Sequence, residues 1–254
     1  MNIFVAGGLW VAGAALVGGV IAYLVRRFGW DEGRPDNNDA AGQVFTIVGG
    51  LHAVLVAFVL ISLFDAVGGA SQDAQTEADS LVAATWAADA LPAETKDRVH
   101  QLAIAYAQTV EQQEWPKLSG GSDIPATGWT QLDQMRQAVA AAEVDGDWQI
   151  DRKTEASNQL WAVYQARTQR LNNAGGGGVG AVVWFALILG SLITAILLPN
   201  LFGGTRLAAH IIIVSTLAGT ITLLLFAIYQ LQNPFSGGAK IPAEAFTGAL
   251  ERLA

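Results

Sequence analysis

The sequence contains no cysteine and few charged residues. Without cysteine the chain has no disulfide, no cysteine zinc ligand and no thiol nucleophile. Charged residues make up only 14% of the 254 residues, and the mean hydropathy of +0.36 is too high for an ordinary soluble protein. The net charge of −8 is opposite to the basic excess that nucleic-acid binding requires. The composition therefore indicates an integral membrane protein and argues against a nucleic-acid partner.

The motifs of common enzymes are also missing. The chain has no G-x-S-x-G and no H-E-x-x-H sequence, and residues 175–178 lack the Lys-Ser/Thr of a phosphate loop. The Asp-Gly-Asp at 145–147 lacks the spacing of an EF-hand, so it is more often a turn and helix cap. Glu111 and Glu114 lie on one helix face, where a solvated surface is more frequent than a catalytic pair. We therefore expect no enzyme activity, no metal site and no cofactor.

Four stretches are apolar and long enough to cross a bilayer. A hydrocarbon core of about 30 Å requires roughly 20 helical residues. The stretches are residues 3–25, 43–64, 179–198 and 207–229, and none contains Asp, Glu, Lys or Arg. The first could also be a signal peptide, but it lacks a charged start and is followed by Arg26 and Arg27. These features favour an uncleaved span.

The second span continues as a polar helix as far as residue 90, because no Pro or turn cluster interrupts it. Apolar residues recur along it at helical spacing, opposite Gln72, Asp73, Glu77 and Asp79. A second helix contains an apolar stripe of Val99, Leu102, Tyr106 and Val110, and it is expected to end at Trp115-Pro116. A short helix follows at about 129–142. The last one carries Ile150, Ser157, Trp161, Tyr164 and Leu171 on a narrow seam, which suits packing against a partner helix.

These patterns predict an all-α integral membrane protein with four transmembrane helices in two hairpins and a helical domain inserted between the second and third. The predicted divisions are residues 1–66 for the first hairpin, 67–178 for the helical domain, 179–230 for the second hairpin and 231–254 for a C-terminal tail. Residues 26–42 are expected to form a loop, and residues 175–178 a hinge before the third span.

Loop charges give an expectation for orientation. Four arginines lie in the short loops: Arg26, Arg27, Arg34 and Arg206. By the positive-inside rule these loops are cytoplasmic, so the helical domain and the C-terminal tail share the extracytoplasmic side. Arg167 and Arg170, near the third span, and Lys240, after the fourth, argue for the opposite orientation.

Five residues around the second span are candidates for a pore or gate. His52 lies inside the span, where an ionisable group is costly and often functional, although a structural His bonded to a neighbouring helix is more frequent. Phe58 and Phe64 could form a hydrophobic gate, against the commoner role of lipid contact or packing. Ser62 could line a wet path or bond its own helix. Asp65 marks the exit from the membrane, where it is expected to be solvated or paired.

The C-terminal tail begins with Asn233-Pro234-Phe235-Ser236-Gly237, which is expected to turn the chain back onto the helical domain. Pro234 would set the turn, and Phe235 would be buried near Trp115. Cutting the tail should then destabilise the protein.

Several of these segments resemble the bacterial bestrophin-like membrane protein family, grouped under a domain of unknown function. The segments are GGLHAVLVAFVLISLFDA at 49–66, Glu77-Ala78 with Leu81, the Tyr106 helix ending in Glu114-Trp115-Pro116, the Pro-Phe-Ser-Gly at 234–237, and IPAEAF at 241–246. The family more often has Asp at position 233 and Pro at 175–178. Its name implies likeness to bestrophins, which are pentameric anion channels with a helical domain between the second and third spans.

The resemblance implies a homo-oligomeric, anion-conducting channel in the bacterial cytoplasmic membrane, with the second span lining the pore. Membrane lipids, further copies of the chain (a pentamer by analogy) and ions such as chloride are the implied partners. A bestrophin-like orientation would place the helical domain in the cytosol, against the loop charges. The alternative is a non-conducting scaffold or sensor whose helical domain binds a partner or ligand, since the spans carry few charges and no selectivity motif.

Overall fold

The computed structural model describes residues 2–28, 38–120, 123–176, 178–202 and 206–254, and every regular element within these ranges is helical. The α-helices described are α1 (Ile3–Phe28), α2 (Asn38–Ala88), α3 (Ala93–Thr109), α4 (Trp115–Gly120), α5 (Thr127–Ala141), α6 (Asp147–Gly176), α7 (Ala181–Leu192), α8 (Leu207–Leu231) and α9 (Glu244–Leu253). A π-helical turn, Val110–Glu114, joins α3 to α4, and α7 continues through Ile193–Leu197 and Leu198–Leu201. The predicted all-α class is confirmed.

Four helices are long and apolar enough to cross a membrane, as predicted: α1, α2, the α7 segment to Leu201, and α8. The chain divides into two compact units. The first comprises Met1–Phe64 and Gly178–Gln232, and the second comprises Asp65–Gly177 and Asn233–Ala254. The first unit holds the apolar part of all four spans. Helix α2 contributes residues to both units.

Within the first unit, α1 packs antiparallel along α8 through small residues. A Cβ on Gly18 would stand 2.9 Å from the Cβ of Ala218, and a Cβ on Gly19 would stand 2.6 Å from Ser215 Oγ. In lipid, such close approach is a main source of helix association. A Cβ on Gly8 or Gly13 of the same helix would meet nothing within 4 Å. The first span therefore packs mainly on the last, rather than on its neighbour in sequence.

The second unit surrounds a core to which α2, α3 and α6 each contribute one apolar row, with further buried residues from α4, α5, α9 and the C-terminal tail. On α3, the predicted stripe of Val99, Leu102, Tyr106 and Val110 is buried, which confirms it. On α2 the row runs from Ala70 to Ala88, and on α6 it runs from Ala156 to Ala174. Apolar burial on this scale is what holds a helical unit together, at about 25 cal/mol per Å².

Three boundaries differ from the predictions. Helix α2 begins at Asn38, so the predicted loop reaches into the helix; its residues 29–37 lie outside the described part of the chain. Trp115-Pro116 does not end the second extramembrane helix. The chain instead continues through the π turn into α4 as far as Gly120, because a proline near the start of a helical segment needs no N–H partner. Helix α6 extends through Gly176, and the predicted hinge falls partly on residue 177, which lies outside the described residues.

Candidate functional site

Two features of the structure are candidates for function: a buried charge cluster in the second unit and the outer face of α2. The buried charge cluster consists of Glu77 on α2, Tyr106 on α3, Glu114 in the π turn, and Arg167 and Arg170 on α6. All five side chains are fully buried. Since its two carboxylates and two guanidinium groups balance, the cluster is neutral overall.

The hydrogen bonds of the cluster join all five side chains. Arg167 grips Glu114 with two parallel bonds, Nη1 to Oε2 at 3.0 Å and Nη2 to Oε1 at 2.6 Å. Arg170 donates from Nε to Glu77 Oε2 at 2.6 Å and from Nη2 to Oε1 of Glu77 and Oε2 of Glu114, both at 3.0 Å. The Tyr106 hydroxyl donates to Glu77 at 2.5 Å and accepts from Arg167 at 3.2 Å. Such forked pairs fix orientation as well as charge.

Aromatic rings enclose the two guanidinium groups. Arg167 lies 4.5 Å from the ring centroid of Trp129, and Arg170 lies 5.6 Å from those of Trp115 and Phe246. Among the residues that the structure describes, none accepts a hydrogen bond from Arg167 Nε or Arg170 Nη1. The ring faces therefore supply the remaining stabilisation of these buried cations.

Burial and charge shift the pKa values of the cluster. Burial, together with the Glu77 carboxylate, holds the pKa of Tyr106 well above its ordinary value of 10.0. Burial alone would lower the pKa of Arg170, but Glu77 and its other partners raise it overall. The pKa of Arg167 is raised in the same way by Tyr106 and Glu114. Both arginines thus stay charged, and Tyr106 stays neutral as the donor to Glu77.

The cluster corrects three sequence interpretations. Glu77 does not lie on the polar face of α2, and Glu114 is not on a solvated face with Glu111; both are fully buried. Glu111 accepts a hydrogen bond from Thr247 at the protein surface. Arg167 and Arg170 are buried and paired, so they do not count as membrane-flanking charges. A buried charge must be paired to be tolerated, and the sequence interpretation missed the pairing.

The outer face of α2 is the second candidate. One row of residues, spaced seven apart, is exposed along the whole helix; we call it the α2 outer row. It comprises Val44, Leu51, Phe58, Asp65, Gln72, Asp79 and Trp86. In its most apolar window α2 is the least buried of the four spans, with 11% of the residues buried within the chain. An exposed row that is apolar from Val44 to Phe58, polar from Asp65 to Asp79 and aromatic at Trp86 requires a partner or lipid along part of its length.

The predicted pore candidates fall on different faces of α2. Phe58 and Asp65 belong to the outer row, and Ser62 and Phe64 are exposed beside it. His52 instead faces α7 and is only 8% exposed. Its Nε2 lies 3.2 Å from Ser191 Oγ on α7, and its ring packs against Gly190. His52 thus attaches α2 to α7 within the first unit.

The C-terminal tail lies on the core of the second unit. Phe235 is fully buried, and its ring meets that of Trp115 edge-on at 5.3 Å. Trp115 Nε1 donates to the Ile241 carbonyl at 3.0 Å, and Ser119 Oγ donates to the Phe235 carbonyl at 2.7 Å. Pro234 is buried beside them, and its carbonyl accepts from Ile241 N–H at 2.8 Å. The structure thus brings the three tail-docking candidates together.

A cleft of about 400 Å³ lies between α5 and α6. Trp129 of α5 lines it together with Trp161 and Tyr164 of α6. The rings of Trp161 and Tyr164 are stacked at 5.0 Å, and those of Trp129 and Tyr164 lie 5.4 Å apart. Asp133 and Arg136 form a surface ion pair at its edge. Across the described ranges, no group of three or more His, Asp or Glu side chains is placed to hold a metal ion.

The four membrane-spanning helices, together with a second unit that encloses the buried charge cluster, define a multi-pass helical membrane protein. The chain belongs to the bestrophin-like family, because the family model described as Bestrophin-like domain matches residues 12–246. The resemblance inferred from the sequence is therefore confirmed.

Solved structures share this fold. A crystal structure of a bacterial bestrophin homologue from Klebsiella pneumoniae, carrying a point substitution, superposes with a TM-score of 0.70 at 14% identity and covers 100% of this chain and 98% of its own. A crystal structure described as a membrane protein gives a TM-score of 0.69 at 13% identity, with 96% of each chain covered. The comparison with curated proteins gave no significant match. At these identities the structural likeness establishes the fold.

Proposed function

We propose that the protein is a homo-oligomeric ion channel whose pore is lined by the outer face of α2. The observation that supports this most directly is the α2 outer row, which stays exposed along a helix of 51 residues. At 1.5 Å per residue this helix is about 77 Å long, far longer than a hydrocarbon core of about 30 Å. The row therefore continues out of the bilayer, where lipid cannot cover it.

Copies of the chain arranged around an axis would bring their outer rows together. A seven-residue spacing is the repeat by which helices pack along a common seam. The apolar stretch of 43–64 contains no Trp or Tyr, whereas α1, α7 and α8 have Tyr23, Trp184 and Tyr229. Trp and Tyr anchor helices at the membrane–water interface. Their absence from the apolar stretch of α2 favours a central place for this span over a lipid-facing one.

The side chains of the row suggest roles in conduction. Phe58 would form a hydrophobic constriction, which gates by losing its water. Ser62 and Phe64 would flank it, and Asp65 would stand at its aqueous end. His52 would act indirectly, by holding α2 against Ser191. Likeness to bestrophins favours anions such as chloride as the conducted ions, and a pentamer as the assembly.

Cryo-electron microscopy of the purified protein in lipid nanodiscs tests this assembly. We expect a ring with the α2 outer rows around a water-wide axis. Phe58→Ala should then increase conductance in planar bilayers, while Phe185→Ala, an equally exposed phenylalanine on α7, should leave it unchanged. A monomer, or an axis closed by tight packing or lipid, would rule out the channel.

We propose further that the second unit lies on the extracytoplasmic side of the membrane, as the loop arginines indicate. Arg167 and Arg170 no longer argue for the cytosol, since both are sealed inside the unit, whereas likeness to bestrophins implies the cytosol. The cysteine-free chain makes a direct test possible. Gln101→Cys, on the exposed face of α3, should react with a membrane-impermeant maleimide in intact spheroplasts. Labelling only after the membrane is broken would place the unit inside.

A sensor or scaffold is the second candidate, and the aromatic cleft between α5 and α6 is the observation that favours it. Trp129 lines the cleft and also packs against Arg167 of the buried charge cluster. A group bound in the cleft could therefore shift Trp129 and, through it, Arg167. Co-purification of one stoichiometric partner, lost in Trp161→Ala but kept in Trp86→Ala, would support this function. A conducting ring with an empty cleft would argue against it.

A further inference from the structure

We infer that the ions that pass along α2 are cations, and that Asp65 is the side chain that selects them. This inference rests on the proposed channel function and concerns the chemistry of the same pore wall. It differs from the anions that likeness to bestrophins implies. The charges of α2, the partners of those charges and the position of Asp65 support it.

Helix α2 carries charge of one sign only. Between Asn38 and Ala88 there is no Lys and no Arg, and the single His is buried against α7. The acidic residues of the helix are Asp39, Asp65, Asp73, Glu77 and Asp79. Rings of carboxylates select cations, whereas anion pores are lined by Arg or Lys. A pore wall made from this helix therefore presents no basic side chain to an anion.

Three of these five carboxylates have partners; within the described residues Asp39, at the N-terminal end of the helix, and Asp65 have none. Glu77 is buried and bound by Arg170. Asp73 accepts a hydrogen bond from Asn173 at 3.0 Å, and Asp79 pairs with Arg252 at 2.7 Å. Arg252 thus offsets the one other acidic charge of the α2 outer row.

Asp65 has no such partner. It is exposed on the outer row, and within the described ranges neither a cation nor a hydrogen-bond donor contacts its carboxylate. Phe58 is the last residue of the apolar part of the row, and Asp65 follows it by seven residues. In the proposed ring, every copy would place one unneutralised carboxylate at this height. Asp65 is therefore the first charge that an ion meets beside the apolar constriction.

The position strengthens the effect of the charge. Apolar walls keep the dielectric constant low, so a ring of like charges repels anions and concentrates cations more strongly than it would in open water. Arg167 and Arg170 cannot offset this field, because Glu77 and Glu114 neutralise them inside the core. Charged clefts of this kind raise the local counter-ion concentration by roughly 10-fold or more.

Reversal potentials of the purified full-length protein in planar bilayers, under a KCl gradient, test the inference. We expect K⁺ to be favoured over Cl⁻ by about 10-fold or more. Asp65→Asn should reduce that ratio several-fold, Asp65→Lys should invert it, and Asp65→Glu should preserve it. Asp97→Asn is the matched control, because it removes the same charge from an exposed site on α3.

The outcomes separate the inference from the proposed function. An anion-selective wild type, or an unchanged ratio in Asp65→Asn and Asp65→Lys, overturns the cation inference but leaves the channel standing. If Asp97→Asn reduces the ratio of K⁺ to Cl⁻ permeability as much as Asp65→Asn does, selectivity depends on the net charge of the protein, and Asp65 is not the side chain that selects cations. No current from intact rings overturns the channel itself, and the inference with it.

Discussion

At the scale of single residues, Gly128 at the start of α5 shows how tightly the buried charge cluster is enclosed. A Cβ at this position would stand 2.5 Å from Glu114 Oε1 and 2.6 Å from Arg167 Nη2. We expect Gly128→Ala to destabilise the second unit by about 1–3 kcal/mol, as overpacking does. Gly248→Ala is the control, since nothing lies within 4 Å of it and alanine favours a helix by about 0.5–1 kcal/mol. Thermal unfolding of both variants measures the difference; equal melting temperatures would contradict the enclosure.

Tyr106 gives the cluster a predictable response to alkaline pH. Its pKa is raised well above 10.0 in the folded protein, because of burial and Glu77. Above about pH 10 the unfolded chain loses this proton while the folded chain keeps it, so stability falls by roughly 1.4 kcal/mol per pH unit. The contribution is fully present below that pH. Thermal unfolding of the wild type and Tyr106→Phe between about pH 8 and pH 11 should show a shallower alkaline loss in the variant; parallel curves would contradict it.

Residue patterns could have revealed the cluster in advance. Glu77, Glu114, Arg167 and Arg170 each occupy a gap in an apolar row of alternating three- and four-residue steps. Glu114 follows Val110 by four, and Arg167 follows Val163 by four. Two acidic and two basic residues in such gaps indicate a neutral buried set. Which partner meets which depends on the crossing of α2, α3 and α6, and helical spacing does not contain that information.

At the scale of elements, the tail should contribute much of the stability of the second unit. Phe235 is fully buried against Trp115. Phe235→Ala should cost about 3–5 kcal/mol, because it removes a large buried side chain and leaves a cavity. Phe235→Leu should cost less, since it keeps most of the apolar volume. Limited proteolysis and thermal unfolding measure both; a loss equal in the two variants would mean that the backbone turn matters more than the ring.

Element positions followed from the sequence where hydrophobic periodicity was long, as in the four spans and the α3 stripe. The predicted positions were wrong where the backbone geometry departs from that of an ideal α-helix. The π turn at Val110–Glu114 lets the chain pass Pro116 without ending, and π turns have no reliable sequence signature. The packing of α1 on α8 was also missed, because small residues indicate close contact without naming the partner.

At the scale of the whole molecule, the outer side of α6 is the surface on which copies could meet. Between Ala156 and Gly176 its charged residues are Arg167 and Arg170, both buried. Its exposed polar side chains include Ser157, Asn158, Gln165 and Asn172. Chains with a net charge of −8 repel each other wherever their faces are charged. A charge-free face removes that cost.

Charges placed on this face should therefore dissociate the assembly. Asn158→Asp with Gln165→Glu would bury unpaired carboxylates between copies, at a cost of about 3–5 kcal/mol, or more than 100-fold in the dissociation constant. The control is Gln101→Glu with Gln108→Glu, which adds the same charges to exposed positions on α3. Native mass spectrometry in detergent measures the subunit number. If both pairs leave it unchanged, α6 does not form the contact.

The packing of α1 on α8 sets the order of events during biosynthesis. Gly19 and Ser215 touch across the two helices, although about 200 residues separate them in the chain. At translation rates of roughly 5–20 residues per second, α1 waits some 10–40 s in the membrane before its partner emerges. During this interval its glycine surface faces lipid or an insertion factor. Helix α1 thus enters the bilayer well before α8, yet it reaches its final contacts only when α8 has followed.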